Sequence, residues 1–236
     1  AEFLLGTMRD SSGRLLRTYN RGQARLNAYL EDHAYLLEAL LALYEASFER
    51  RWFEAARDVA DAMIERFGDD ERGGFFTTSS DHEELIVRRK DLDDHPIPSG
   101  NSSAALGLLR LQALSGERRY GEWAEGVLRL LSQPAEQHPQ AFAYLLSALD
   151  FHLSRSREVA LVAPPGAAPT ALEELASAVR TRYRPHLVLA GGEQGADQPA
   201  LLADRPAADV PLAYVCEQFS CKAPVAAPAE LESLLS

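Results

Sequence analysis

From Ala34 to Phe48 the chain reads AYLLEALLALYEASF, with Glu38, Glu45 and Ser47 as its clearly polar positions. A helix this uniformly apolar must be enclosed by protein on nearly every side. The next segment, RRWFEAARDVADAMIERF, has a different pattern. Trp52, Phe53, Ala56, Val59, Ala60, Met63, Ile64 and Phe67 recur at helical spacing, and Arg57, Asp58, Asp61 and Glu65 fall opposite them as a solvated face. The alternation then repeats. Residues 99–114 are apolar almost all round, whereas 118–131 place Tyr120, Trp123, Val127, Leu130 and Leu131 on one side and charges on the other. A third near-apolar helix spans 139–153, with Pro139 suited to its first turn.

Buried and amphipathic helices taking turns imply helical hairpins in two layers, whose inner members present their starting loops to a central cavity. The expected architecture is mainly α, a partial (α/α) toroid over residues 1–156. A plain antiparallel bundle would make every helix amphipathic rather than every other one. After residue 157 the texture changes. REVALVA, PHLVLAGG and LAYVCEQF read as short strands, PTALEELASAVRTRY as a helix between the first two, and 228–235 as a closing helix. Residues 157–236 are therefore expected to form a small β-α-β appendage. Gly191, Gly192 and Gly195 follow the second strand without a helix behind them, so they read as loop glycines and not as a dinucleotide or phosphate loop.

Composition narrows the partners. The 236 residues carry 24 basic and 35 acidic side chains, a net charge of -11, and Arg88-Arg89-Lys90 is the longest basic run. Nucleic acid and anionic membrane both need a contiguous positive surface, so neither is an expected partner. No apolar run approaches the roughly 20 residues of a membrane span and no leader opens the chain, which reads as cytoplasmic. Cys216 and Cys221, spaced C-x4-C, form neither a redox C-x-x-C nor a zinc site. On one strand an offset of five would point their thiols to opposite faces, so they are expected to be buried, inert thiols. No metal or cofactor is expected.

Reactive side chains concentrate in four stretches: 29–35, 73–78, 86–101 and, more weakly, 17–23. The first and third precede the two most apolar helices. If those helices line a cavity, Glu31, Asp32 and His33 share a rim with Lys90, Asp94, His95, Ser99 and Asn101. Ser99 or Asn101 can cap the helix start, whose free amides and dipole favour an anion or a hydroxyl-rich ligand. Pro96 and Pro98 hold the approach extended and fix where Asp94 and His95 point.

LEDHAYLLEALLALYEASFERRWFEAA, GGFF, RRKDLDDHPIPSGNSSAALGLLRL and PLAYVCEQFSCKAPVAAPAELESLL together resemble the C-terminal part of the thioredoxin-domain-containing family related to spermatogenesis-associated protein 20. The resemblance implies a helical domain like those of six-hairpin glycosidases and N-acylglucosamine 2-epimerases, with a thioredoxin-like domain in front and no assigned reaction. Its motif falls on Leu30, Asp32, Ala34, Gly73, Gly74, Phe76, Arg89, Lys90, Asp94, Pro98, Ser99, Gly100 and Asn101. His33 stands where the family has tyrosine, and Pro96 where it has alanine. The chain begins without Met, shows no thioredoxin-like segment and supplies three of six inner helices. It therefore reads as a fragment whose exposed half-ring is expected to drive self-association.

Three functions compete on this reading. A sugar-active enzyme would use Asp32 and Asp94 as paired carboxylates, which flank a glycosidic bond at roughly 5 to 9 Å, with His33 or His95 carrying protons. Tyr35, Phe76, Arg89, Lys90, Ser99 and Asn101 would then bind the ligand. A binding module would hold a carbohydrate or nucleotide-like ligand in the same pocket without chemistry. A structural partner of the thioredoxin-like domain would use the same residues as caps, ion pairs and core.

Overall fold

The computed structural model describes all residues except 82–86, 194–198, 207 and 218–219. About half of the chain is helical, in eight α-helices among the described residues, and two small sheets complete it. A short helix α1 (Glu2–Gly6) leads into an antiparallel hairpin of β1 (Leu16–Asn20) and β2 (Gln23–Asn27). Arg21 and Gly22 turn this hairpin with φ of 51° and 80°, the paired positive values of the tight turns whose twist matches the strands. The weak candidate stretch 17–23 is therefore a hairpin and not a loop at a cavity.

Helices α2 (Leu30–Ser47) and α3 (Arg50–Phe67) form one antiparallel hairpin, and α4 (Gly100–Ser115) and α5 (Arg118–Gln137) a second. A 3-10 turn (Pro139–Phe142) then leads into α6 (Ala143–Leu153). Helix α4 packs between α2 and α6, while α3 and α5 each lie behind the inner helix that precedes them. The apolar stripes read from the sequence face inward: Trp52, Phe53, Met63 and Phe67 of α3, and Tyr120, Val127 and Leu131 of α5, are buried. The opposite face of α3 is less solvated than expected. Arg57 pairs with Glu117 at 2.7 Å, and Asp61 accepts from Arg119 at 2.8 Å and from the Tyr120 hydroxyl at 2.9 Å, which ties the two outer helices together.

The inner helices also differ from expectation. Helix α2 is not enclosed all round, because Tyr35, Glu38, Ala39, Ala42, Glu45 and Ala46 form a stripe of partly or fully exposed positions. Helix α6 turns Leu146 and Leu153 outward.

The second sheet is ordered β4-β3-β5-β6, from β3 (Arg157–Ala163), β4 (Leu187–Glu193), β5 (Leu212–Glu217) and β6 (Ser220–Cys221). Strands β3 and β4 run parallel and are joined through α7 (Glu173–Arg180), whereas β5 pairs antiparallel with both β3 and β6. Alternate residues of β3 serve two cores. Val159, Leu161 and Ala163 pack with α7 and α8 (Pro228–Leu234), and Ala160 and Val162 join the core of the helical hairpins together with Val188, Ala190 and Tyr214.

Two expectations are corrected in this part of the chain. Gly191 and Gly192 lie within β4 and are not loop glycines, while Gly195 lies outside the described residues. A Cβ on Gly191 would sit 2.5 Å from the Phe48 ring, so glycine is what lets the strand approach the end of α2. Gly191→Ala is expected to cost about 1–3 kcal/mol through overpacking. Gly6→Ala, with nothing within 4 Å, should stay within about 0.5 kcal/mol in the same denaturant titration.

The second correction concerns the cysteines, which form a disulfide. The segment is not one strand: it ends at Glu217, with residues 218 and 219 outside the described set, and β6 returns alongside it. Antiparallel pairing puts Cys216 directly opposite Cys221, on the same face and within bonding reach.

Candidate functional site

The ten residues singled out from the sequence are distributed as follows. Asp32 lies in the first turn of α2, where it accepts the Tyr29 amide at 2.8 Å and pairs with Arg17 at 2.8 Å. His33 is buried, with Nδ1 2.9 Å from the Tyr29 carbonyl and its ring against Phe67. Burial holds its pKa below the usual histidine range, so the neutral ring is the favoured form. The Tyr35 hydroxyl donates to the Pro98 carbonyl. Desolvation raises its pKa, and the charges of Glu31, Asp94, Glu38 and Asp32 add to the rise.

Asp94 joins two helix starts. One carboxylate oxygen accepts the Ser99 amide before α4 at 2.8 Å, and the other accepts the Tyr144 amide in the first turn of α6 at 2.8 Å. The helix expected over 139–153 is a 3-10 turn followed by α6, and this bond satisfies an amide in the first turn of α6. Ser99 caps α4 by accepting from the Ser102 amide at 3.1 Å. Asn101, fully buried, accepts the Phe75 amide at 2.8 Å and donates to the carbonyls of Phe75 and Asp91 at 3.0 Å each. Lys90 pairs with Asp69 at 2.7 Å and donates to the Gly73 carbonyl. Phe76 is covered by the Arg88 guanidinium at 4.1 Å and the Lys90 ammonium at 4.9 Å. Arg89 and His95 are exposed, beside Asp91 at 3.1 Å and Asp93 at 3.5 Å.

Lys90, Asp94, Ser99 and Asn101 thus come together, but as a network that ties the loop before α4 to its neighbours. Ile86, at the start of the candidate stretch 86–101, lies outside the described residues. Three clefts, of about 590, 540 and 740 Å³, are lined by none of the ten.

The largest of these clefts has the chemistry of a site. Each inner helix contributes polar side chains to it: Glu38 and Glu45 from α2, Arg110 from α4, and Tyr144 and Asp150 from α6. The segment from Val179 to Leu189 closes the other side. Glu38 accepts from the Ser103 hydroxyl and, at 2.6 Å, from the Tyr144 hydroxyl. Burial nevertheless pushes its carboxyl above the usual range, and it does the same to Glu45, which is paired with Arg110 at 2.6 Å. Arg180 donates to the carbonyls of Glu45 and Ala46 at 2.7 and 2.9 Å, satisfying the C-terminal turn of α2. His186 bonds to Asp150, and Tyr183 stands 91% exposed at the rim.

Sequence reasoning passed over this cleft, although a signal was present. Glu38 and Glu45 are seven residues apart, two helical turns, and so share one face of α2. Arg110 is the lone charge in the largely buried α4. A charge retained in a buried helix needs a partner or a cavity, and these three have both.

The described residues contain no cluster of His, Cys, Asp and Glu able to hold a metal, and no described helix is long and apolar enough to cross a membrane. No family model matches the chain. Over its whole length the chain is homologous to part of spermatogenesis-associated protein 20, with 32% identity to the Homo sapiens protein across 100% of this chain and 32% of that one. The Rattus norvegicus protein gives the same identity and coverage. "Uncharacterized protein B0495.5" of Caenorhabditis elegans is 26% identical across 100% of this chain and 33% of its own length. The chain therefore spans about a third of the length of the curated relatives it matches.

Proposed function

We propose that the helical hairpins are part of an (α/α) toroid whose inner helices α2, α4 and α6 line a carbohydrate-binding cleft, with Glu38 as its central polar group. The observation that carries this reading is the convergence of polar side chains from all three inner helices on one cleft. The desolvated Glu38 lies between two hydroxyl donors there. Its volume falls within the span of small-ligand sites. Carboxylate, guanidinium and hydroxyl groups supply the acceptors and donors that a polyol needs, and the exposed Tyr183 ring offers an apolar face for a sugar. A carboxyl with a raised pKa is also what proton transfer to a glycosidic or hydroxyl oxygen requires. In a longer protein the same domain would act beside a thioredoxin-like domain, as the family resemblance implies.

Calorimetric titration with a panel of neutral and acidic mono- and disaccharides tests the reading. Saturable heat is expected with at least one of them, and it should vanish in Glu38→Gln while the thermal melt stays cooperative. Absence of binding across the panel would overturn it. The pH dependence supplies an independent check. The folded-state pKa of Glu38 lies above its ordinary value of 4.5, so its ionisation lowers stability as pH rises through the folded pKa. Glu38→Gln should therefore gain stability relative to the parent between pH 4 and pH 8, and a flat difference would contradict the desolvation argument.

A second reading, a structural or interaction domain, is favoured by the spending of Lys90, Asp94, Ser99 and Asn101 on caps and backbone carbonyls. It assigns the motif to architecture and leaves the cleft without a ligand.

A further inference from the structure

We propose that the Cys216–Cys221 hairpin is a thiol–disulfide exchange site for a small, carboxylate-bearing thiol. The two sulfurs are unequal: Cys216 is 1% exposed, whereas Cys221 lies in the exposed part of the hairpin. The bond closes a loop with a sequence separation of 5, at the short end where a cross-link restricts the unfolded chain least. Structural stabilisation is thus a weak reason for its presence.

Arg205 faces both sulfurs, with Nη1 3.4 Å from Cys221 Sγ and Nη2 3.8 Å from Cys216 Sγ. It is held there by the Leu201 carbonyl, 3.2 Å from Nε and from Nη2, and by the Tyr214 ring at 5.1 Å. A fixed guanidinium beside a sulfur stabilises the thiolate that exchange requires. The cleft of about 540 Å³ opens onto this pair. Arg118 and His152 stand on its walls, and Leu109 and Phe151 supply apolar surface. Its one carboxylate, Glu158, is opposite Cys216 in the β3–β5 register; burial raises its pKa and Arg205 opposes the rise. Arg118 and Arg205 outnumber it on the walls, so the cleft is cationic. A peptide-sized thiol carrying carboxylates fits that volume and charge.

The exchange balances in two steps. The ligand thiolate attacks Cys221 Sγ, the disulfide breaks, and its electron pair leaves on Cys216 as a thiolate against Arg205. A second ligand thiolate then attacks the ligand sulfur of the mixed disulfide and releases Cys221. Two ligand thiols are oxidised to one ligand disulfide. The protein pair gains two electrons and, from those thiols, two protons.

Glutathione and 2-mercaptoethanol serve as probes of the full chain, with opening of the disulfide followed by alkylation and intact mass. At low salt and equal thiolate concentration, glutathione is expected to react about ten-fold faster, because only it carries carboxylates for the cationic cleft. Arg205→Gln should remove most of that preference. Under oxidised glutathione, Cys216→Ser should form the mixed disulfide at Cys221 at least about ten-fold faster than Cys221→Ser forms one at Cys216. Equal rates for the two thiols with the unmodified chain would overturn the ligand class, and equal rates for the two cysteine variants would overturn the exchange site. Opening of the bond only at the rate of global unfolding would also overturn the site.

Discussion

Replacing Asp94 by alanine is expected to lower the unfolding free energy by about 2–4 kcal/mol, because two charge-assisted hydrogen bonds to partly buried helix starts are lost together. The carboxylate accepts the Ser99 and Tyr144 amides at 2.8 Å each, and these amides belong to the starts of two neighbouring inner helices. No helix carbonyl can replace it, since the first amides of a helix have no partner within the helix. For a chain of this length the loss corresponds to an apparent melting shift of about 5–15 °C. Asp94→Asn retains one acceptor oxygen but turns an amide N–H toward the other backbone donor. It should therefore recover only part of the loss and cost about 1–3 kcal/mol. If Asp94→Asn instead leaves the melt unchanged and abolishes turnover of a sugar, Asp94 is a catalytic carboxylate and the capping account fails.

Lys90→Met should cost about 3 kcal/mol, the scale for removing one partner of a buried ion pair. Lys90 and Asp69 retain 12% and 9% of their side-chain exposure and meet at 2.7 Å, and Lys90 also satisfies the Gly73 carbonyl. Methionine fills the stem's volume but leaves Asp69 Oδ2 and the Gly73 carbonyl facing an apolar group. The loss has a defined pH dependence. The Lys90 hydrogen bond, ahead of those from the Arg72 and Glu71 amides, holds the Asp69 carboxyl below its ordinary value of 3.8. A depressed folded-state pKa contributes stability that is fully present above the unfolded value and is lost as pH falls through the folded one. The gap between parent and variant should thus be widest near neutral pH and narrow below 3.8, as read from denaturant midpoints across pH. Lys90→Met combined with Asp69→Asn should be more stable than Lys90→Met alone, since no buried charge is then left unpaired.

The alternation of near-apolar and amphipathic segments placed the inner and outer helices, because burial on one side or on several is written directly into the spacing of apolar residues. The strands at 157–163 and 187–193 were legible for the same reason. The 86–101 stretch was also legible as a place where polar and restricted residues gather. Its use was not, because whether Asp94 reaches a ligand or the amide of Tyr144 depends on a helix start 50 residues further along.

Periodicity thus placed α2 to α6 along the chain and determined which faces of α3 and α5 are buried, since those are properties of one element and its own residues. Tertiary structure alone decided the rest. The hairpin that sets Cys216 against Cys221, the contact that requires glycine at 191, and the meeting of Glu38 with Tyr144 each join elements distant along the chain or reverse its direction. A pattern with periods of two or three and a half residues carries no record of which distant residues will be brought together.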